Sequence, residues 1–279
     1  MRFFRLMSVS GWAAIALTFA MAHEVRASVI DFSTPNSPLP ATAGNGLVGS
    51  YYRPTGGFEP GSIANANNYI SSHGADATFV STGINYPAGS AYGSQATAGD
   101  GTSVSTYLGS DASSLTAVGG SPSGETTTQV LANTLDGTMY TFTGYLAITA
   151  ADLNTPETFF LGSDDGSALY IQGQQIIAND GDHGFSFTSG GNTVVFTQAG
   201  LYAIKVLDYE DGGETGVEFG STLVGSGTFG QELTAANFYQ TAPAATTVTP
   251  EPSSLTLLST AGAIACGFFW NARRRLSRA

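Results

Sequence analysis

Basic residues are almost missing from the body of this chain. Between Ser28 and Trp270 only Arg53 and Lys205 carry positive charge, against 20 acidic residues (the chain's 21, less Glu24). A surface of that sign cannot neutralise phosphates, which excludes nucleic acid as a partner and leaves cations and neutral polar ligands. Cysteine is missing as well. The single one, Cys266, falls in the C-terminal apolar segment, so no disulfide staples the body. Charge of either sign is scarce, at 11% of 279 residues, while 42% are hydrophobic, which excludes a disordered chain. What is present points to β structure: 36 glycines, and aromatic residues spread through short runs.

The remaining seven basic residues lie at the two ends. Arg2 and Arg5 precede an apolar run from Leu6 to Ala22 that closes on small residues, with Val25-Arg26-Ala27 as a second small-residue option. That is the layout of a secretory signal peptide over residues 1–27, removed after Ala22 or Ala27. At the other end, a small-residue linker (241–249) leads into Pro250-Glu251-Pro252, an uncharged run Leu255–Trp270 and Arg273-Arg274-Arg275. The run predicts a single C-terminal membrane helix whose arginines mark the cytoplasmic side.

Between these ends the segment 28–45 is polar and Pro-containing and reads as a lead. "GLVGSYY" predicts a first strand. "GSIANANNYISSH" predicts a short helix capped by Ser62. The Gly/Ser/Ala/Thr-rich stretch 84–127 predicts long loops with at most short strands. From Thr138 the strand signals are dense: "MYTFTGYLAI", "ETFFLGS", "ALYIQG", "QQIIAN", "NTVVFT", "LYAIKVLDYE" and "GVEFGSTLV". No ten-residue helical pattern separates them, so a parallel βαβ sheet is disfavoured. The predicted fold is all-β, an antiparallel β-sandwich or jelly-roll-like barrel with long loops.

Within "FFLGSDDGSALYIQG" the carboxylates of Asp164 and Asp165 stand side by side in a tight turn. At ~4 Å and an effective dielectric of ~20, two such charges repel by about 4 kcal/mol. The pair therefore either faces water or holds a cation. Calcium takes six to eight oxygens, which a carboxylate pair and nearby carbonyls supply.

The residues of the tail resemble a PEP-CTERM sorting signal: proline-flanked tripeptide, apolar helix and basic stop in order. The resemblance implies a Gram-negative bacterium whose exosortase processes the exported protein, which then resides at the cell surface or in an exopolysaccharide matrix. The body, over residues 46–240 and most clearly 138–220, resembles the protective-antigen-type (PA fourteen) β-sandwich, also seen in yeast flocculins and appended to bacterial glycosidases. The matching stretches are "GLVGSYY", "FFLGSDDGSALYIQGQQIIANDGDHG" and "AGLYAIKVLDYEDGGETGVEF". In calcium-dependent members the Asp-Asp pair is joined by a cis peptide and binds Ca²⁺. The resemblance thus implies metal ligands at Asp164 and Asp165. A second loop adds Glu210 or Asp211, where flocculin-like lectins carry asparagine, and Gly212 and Glu214 as carbonyl donors.

Other constellations are weaker. "NDGDHG" (179–184) fails as an EF-hand, since its turn glycine is displaced and no Glu follows at the twelfth position. It leaves Asp180, Asp182 and His183 as ligand-binding candidates beside the metal face. Neither Gly-x-Ser-x-Gly nor His-Glu-x-x-His occurs, and nothing fixes a carboxylate pair at glycosidase spacing. A non-enzymatic, calcium-assisted module for a neutral glycan is expected. A structural surface or matrix protein is the alternative, and a glycoside hydrolase the weaker one.

Overall fold

The computed structural model describes residues 28–242. The signal-peptide, PEP-CTERM and membrane-helix expectations concern residues outside that range. No helix among the described residues is long and apolar enough to cross a membrane.

Two large sheets form the body, with a third of three strands: Val29–Phe32, Thr193–Phe196 and Pro156–Glu157. The larger runs in the spatial order Gln174–Asn179, Ser167–Ile171, Gly200–Tyr209, Met139–Ile148, Leu47–Tyr52, Ala77–Ser81 and Thr116–Ala117, with Phe238–Tyr239 also paired to Met139–Ile148. The smaller runs Ser186–Thr188, Phe159–Asp164, Glu214–Ser221 and Gln231–Glu232, with Asn85–Tyr86 and Ala98–Gly99 paired to Glu214–Ser221. All pairs within the two large sheets are antiparallel, as expected where short turns rather than helices connect the strands. The Gln172-Gly173 turn holds positive φ (52° and 77°) at both central residues, the geometry that a two-residue hairpin demands.

The facing sides bury an aromatic core. Phe142 stacks on both Tyr86 and Tyr140, Tyr107 is tilted against the same two tyrosines, and Phe159 and Phe219 stack on the smaller sheet. Each such side chain contributes roughly 1.5–3 kcal/mol through removal of apolar area from water. A second cluster lies on the outer face of the larger sheet. There Ile63 and Ala66 of the helix Ile63–Ser72 cover Tyr52, Met139, Ala168, Leu207 and Tyr209. The helix forms where its capping residue predicts, the Ser62 hydroxyl accepting from Asn65 N at 3.3 Å.

Three expectations differ from the structure. The polar lead contributes Val29–Phe32, which pairs in parallel with Thr193–Phe196 and buries Phe32. The stretch 84–127 holds a helix, Val104–Leu108, and a 3₁₀ turn, Gly109–Ser114, whose Val104, Tyr107 and Leu108 are core residues. The end of "GVEFGSTLV" leaves the sheet as a 3₁₀ turn, Thr222–Val224.

Candidate metal centre

Two chain segments leave one sheet for the other at the same end of the sandwich. Asp164-Asp165-Gly166 carries the chain from Phe159–Asp164 to Ser167–Ile171, and 210–213 carries it from Gly200–Tyr209 to Glu214–Ser221. Register sets these corners side by side: Asp164 is opposite Gly216 in the smaller sheet, and Ser167 is opposite Asp208 in the larger. The Asp-Asp-Gly turn is thus a corner between sheets and not a hairpin. Glycine is required at 166, because a Cβ there would lie 2.4 Å from the ring of Tyr209.

The bond between Asp164 and Asp165 is cis. Asp164, Asp165 and Glu210 each present a carboxylate oxygen, and these lie within 4.8 Å of one another. All three residues are buried, at 7%, 6% and 1% exposure. Backbone amides fix them. Asp164 Oδ2 accepts from Phe185 N at 3.1 Å, and Asp165 accepts from His183 N and Asp211 N, each at 3.0 Å. Glu210 Oε1 accepts from Gly212 N at 2.7 Å, while its Oε2 is buried without a partner.

Among the described residues no lysine or arginine pairs with these acids; the ion pair Arg53–Glu125, at 3.5 Å, does not involve them. Burial, reinforced by Asp165, pushes the Asp164 carboxyl up to about 6. Burial and the Asp165 and Asp164 charges push Glu210 up to about 8, and burial pushes Asp211 up to about 6. Three convergent carboxylates with a free buried oxygen form an all-oxygen donor set of the kind that hard divalent cations take.

The other expected site residues divide. Asp211 Oδ2 is tied to Gly61 N at 2.7 Å, although its Oδ1 is buried without a partner. Glu214 turns away to Thr97 Oγ1 at 2.5 Å and is exposed. Gly212 lies exposed on the loop. Asp180 Oδ1 accepts from Ile63 N at 2.7 Å, so its carboxylate holds the start of the helix. Asp182 is exposed, and His183 contributes its backbone N–H to Asp165 while its Nε2 is buried without a partner.

Sequence reasoning missed two acids and a ring. Asp208 is fully buried with neither oxygen partnered. Burial and the charges of Glu210, Asp165 and Asp164 push its carboxyl well above the usual range. Asp100 Oδ2 accepts from Gly213 N at 2.8 Å and braces the second corner from outside. Phe185 lies beside the site against Gly216, where a Cβ would press on its ring at 3.3 Å.

Residues 125–229 match the family model of the PA14 domain. The chain contains a PA14 domain. Among solved structures, the PA14 domain of the MpAFP antifreeze protein is similar at 20% identity and a TM-score of 0.54, over 75% of this chain and 97% of that one. The PA14 sugar-binding domain from an RTX adhesin is similar at 20% identity and 0.53, over 71% and 99%. The epithelial adhesin 6 A domain from Candida glabrata, solved with Galβ1-3GlcNAc, gives 15% identity and 0.44, over 75% and 92%. Comparison with curated proteins finds no match. The PA14 likeness at this identity establishes the fold, and Asp164, Asp165 and Glu210 all fall inside the matched residues.

Proposed function

We propose that this PA14 domain is a calcium-assisted carbohydrate-binding module of an exported surface protein. The observation that carries the reading is the meeting of Asp164, Asp165 and Glu210 at one end of the sandwich, with no lysine or arginine paired to them among the described residues. Calcium supplies that balance. Its remaining coordination positions would then accept sugar hydroxyls from the solvent side, where Gly212, Gly213 and Glu214 are exposed. Two neighbours support the ligand class: the similar RTX adhesin domain is described as sugar-binding, and Phe185 offers an adjacent partly exposed ring. A neutral glycan suits so acidic a body. The tail 250–279, with Pro250-Glu251-Pro252 and Arg273-Arg274-Arg275, belongs to the same reading as an exosortase signal that holds the protein in the inner membrane by Leu255–Trp270 until it is processed.

One observation favours a second reading. The carboxylate pair is only 7% and 6% exposed, so a cation held there could brace the two corners without meeting a sugar. A glycan array probed with and without EDTA separates the two. Calcium-dependent signal on neutral glycans, lost in Asp165→Asn, is expected. A metal-stabilised protein that binds no glycan in either condition would leave the bracing role alone.

A further inference from the structure

Lys205, the only lysine in the chain, lies far from any role in the metal centre. It is on the strand Gly200–Tyr209, on the outer face of the larger sheet beside the helix Ile63–Ser72. A cavity of about 290 Å³ opens there, lined by Asn67, Tyr170, Gly173, Ala203, Ile204 and Lys205. The walls are mostly apolar.

Asn67 uses both ends of its amide. Its Oδ1 accepts from Lys205 Nζ at 2.8 Å, and its Nδ2 donates to the Tyr170 hydroxyl at 3.0 Å. An ammonium has three protons, so two remain on Lys205 after that bond. The Tyr170 oxygen is already an acceptor, so its own proton is free to be donated. Asn67 therefore orients two donors at the cavity wall. The ammonium also lies 5.6 Å from the centre of the Tyr170 ring, which places it over the face of that ring.

The charge of this site is not balanced by the protein. Although acids crowd the body, no carboxylate among the described residues lies within ion-pair distance of Lys205, and burial alone lowers its pKa. A half-buried cation without a counter-charge carries a desolvation penalty that an incoming anion would relieve. The nearby apolar walls favour a ligand with a ring or hydrocarbon body.

We propose that this cavity is a binding site for a carboxylate carried on a small ring, distinct from the metal centre. Lys205 and Tyr170 donate to the carboxylate, Asn67 positions both, and Ala203 meets the ring. A sugar acid and an apolar acid share this chemistry.

The solitary lysine makes the test direct. Acetylation of Lys205 by an N-hydroxysuccinimide ester, mapped by peptide mass spectrometry, reports whether its ammonium is covered. The probes are cyclohexanecarboxylate and glucuronate, with cyclohexanemethanol and methyl glucoside as their uncharged counterparts, at equal ionic strength in sodium chloride. At a ligand concentration near ten times Kd, the rate is expected to fall about tenfold with at least one carboxylate and with neither uncharged compound. Whichever acid protects identifies the source of the carboxylate. Tyr170→Phe, which keeps the ring, is expected to weaken the protection several-fold with an unchanged melting temperature. Equal rates with and without both acids would overturn the proposal, as would equal protection by the uncharged compounds.

Discussion

Glu210 concentrates the electrostatics of the candidate metal centre. Burial and the neighbouring aspartates raise its pKa from 4.5 to about 8 in the folded protein. A carboxyl whose folded pKa lies above its unfolded value binds its proton more tightly when folded, so its contribution to stability is present at low pH and is lost as pH rises through that window. The metal-free protein is therefore expected to lose stability between about pH 4.5 and 8, on the order of 2 kcal/mol after allowance for screening at the loop face. Urea unfolding in EDTA at pH 5, 6.5 and 8 measures the slope, which should flatten in Glu210→Gln. A slope that is unchanged in that variant contradicts the assignment. Calcium requires the ionised form, so its affinity should fall as the pH is lowered through the same range. Asp164 and Asp165 were legible from the sequence because adjacent carboxylates in a turn stand out. Asp208 was not, because it lies inside the strand Gly200–Tyr209, where alternation places it on the inward face with Ile204 and Val206.

Among the elements, the corners depend on close approaches that only small side chains permit. Gly166→Ala would drive a methyl into the Tyr209 ring and is expected to cost about 1–3 kcal/mol, with loss of calcium affinity as the corner shifts. A melting temperature equal to that of the parent would show that the corner relaxes freely. Asp180 acts on a different element. Its carboxylate bonds the first turn of the helix Ile63–Ser72, so Asp180→Ala is expected to cost about 1–2 kcal/mol both with and without calcium. A loss confined to the calcium-loaded protein would make it a metal ligand instead. The same contrast explains what the sequence disclosed about elements. Met139–Ile148 and Gly200–Tyr209 are long, apolar and bounded by turn residues, and so they are readable. Val104–Leu108 and Thr127–Ala132 are five and six residues long, too short to show a helical period. Their caps, Ser103 and the Thr126/Gln129 box, were the only local signal.

For the whole molecule, the tail 250–279 carries the proposed sorting signal. If Pro250-Glu251-Pro252 directs processing, mass spectrometry of the mature protein should find the arginine-rich tail removed, and an intact tail in a strain with an active exosortase would contradict that. The sandwich itself was legible because turn signals recur between strands and no long helices interrupt them. The parallel pairing of Val29–Phe32 was not, since it joins segments more than 150 residues apart through a register that no local pattern encodes. The body has few ways to balance its acids from within, and calcium at the joined corners is the central claim. Calorimetric melting of the protein with 1 mM calcium and with EDTA tests it most directly. With a Kd of ~10 μM, linkage adds about 2.7 kcal/mol, a rise of roughly 5–10 °C for a domain of this size, absent in Asp164→Asn. Superimposable melting curves in calcium and EDTA would contradict the account.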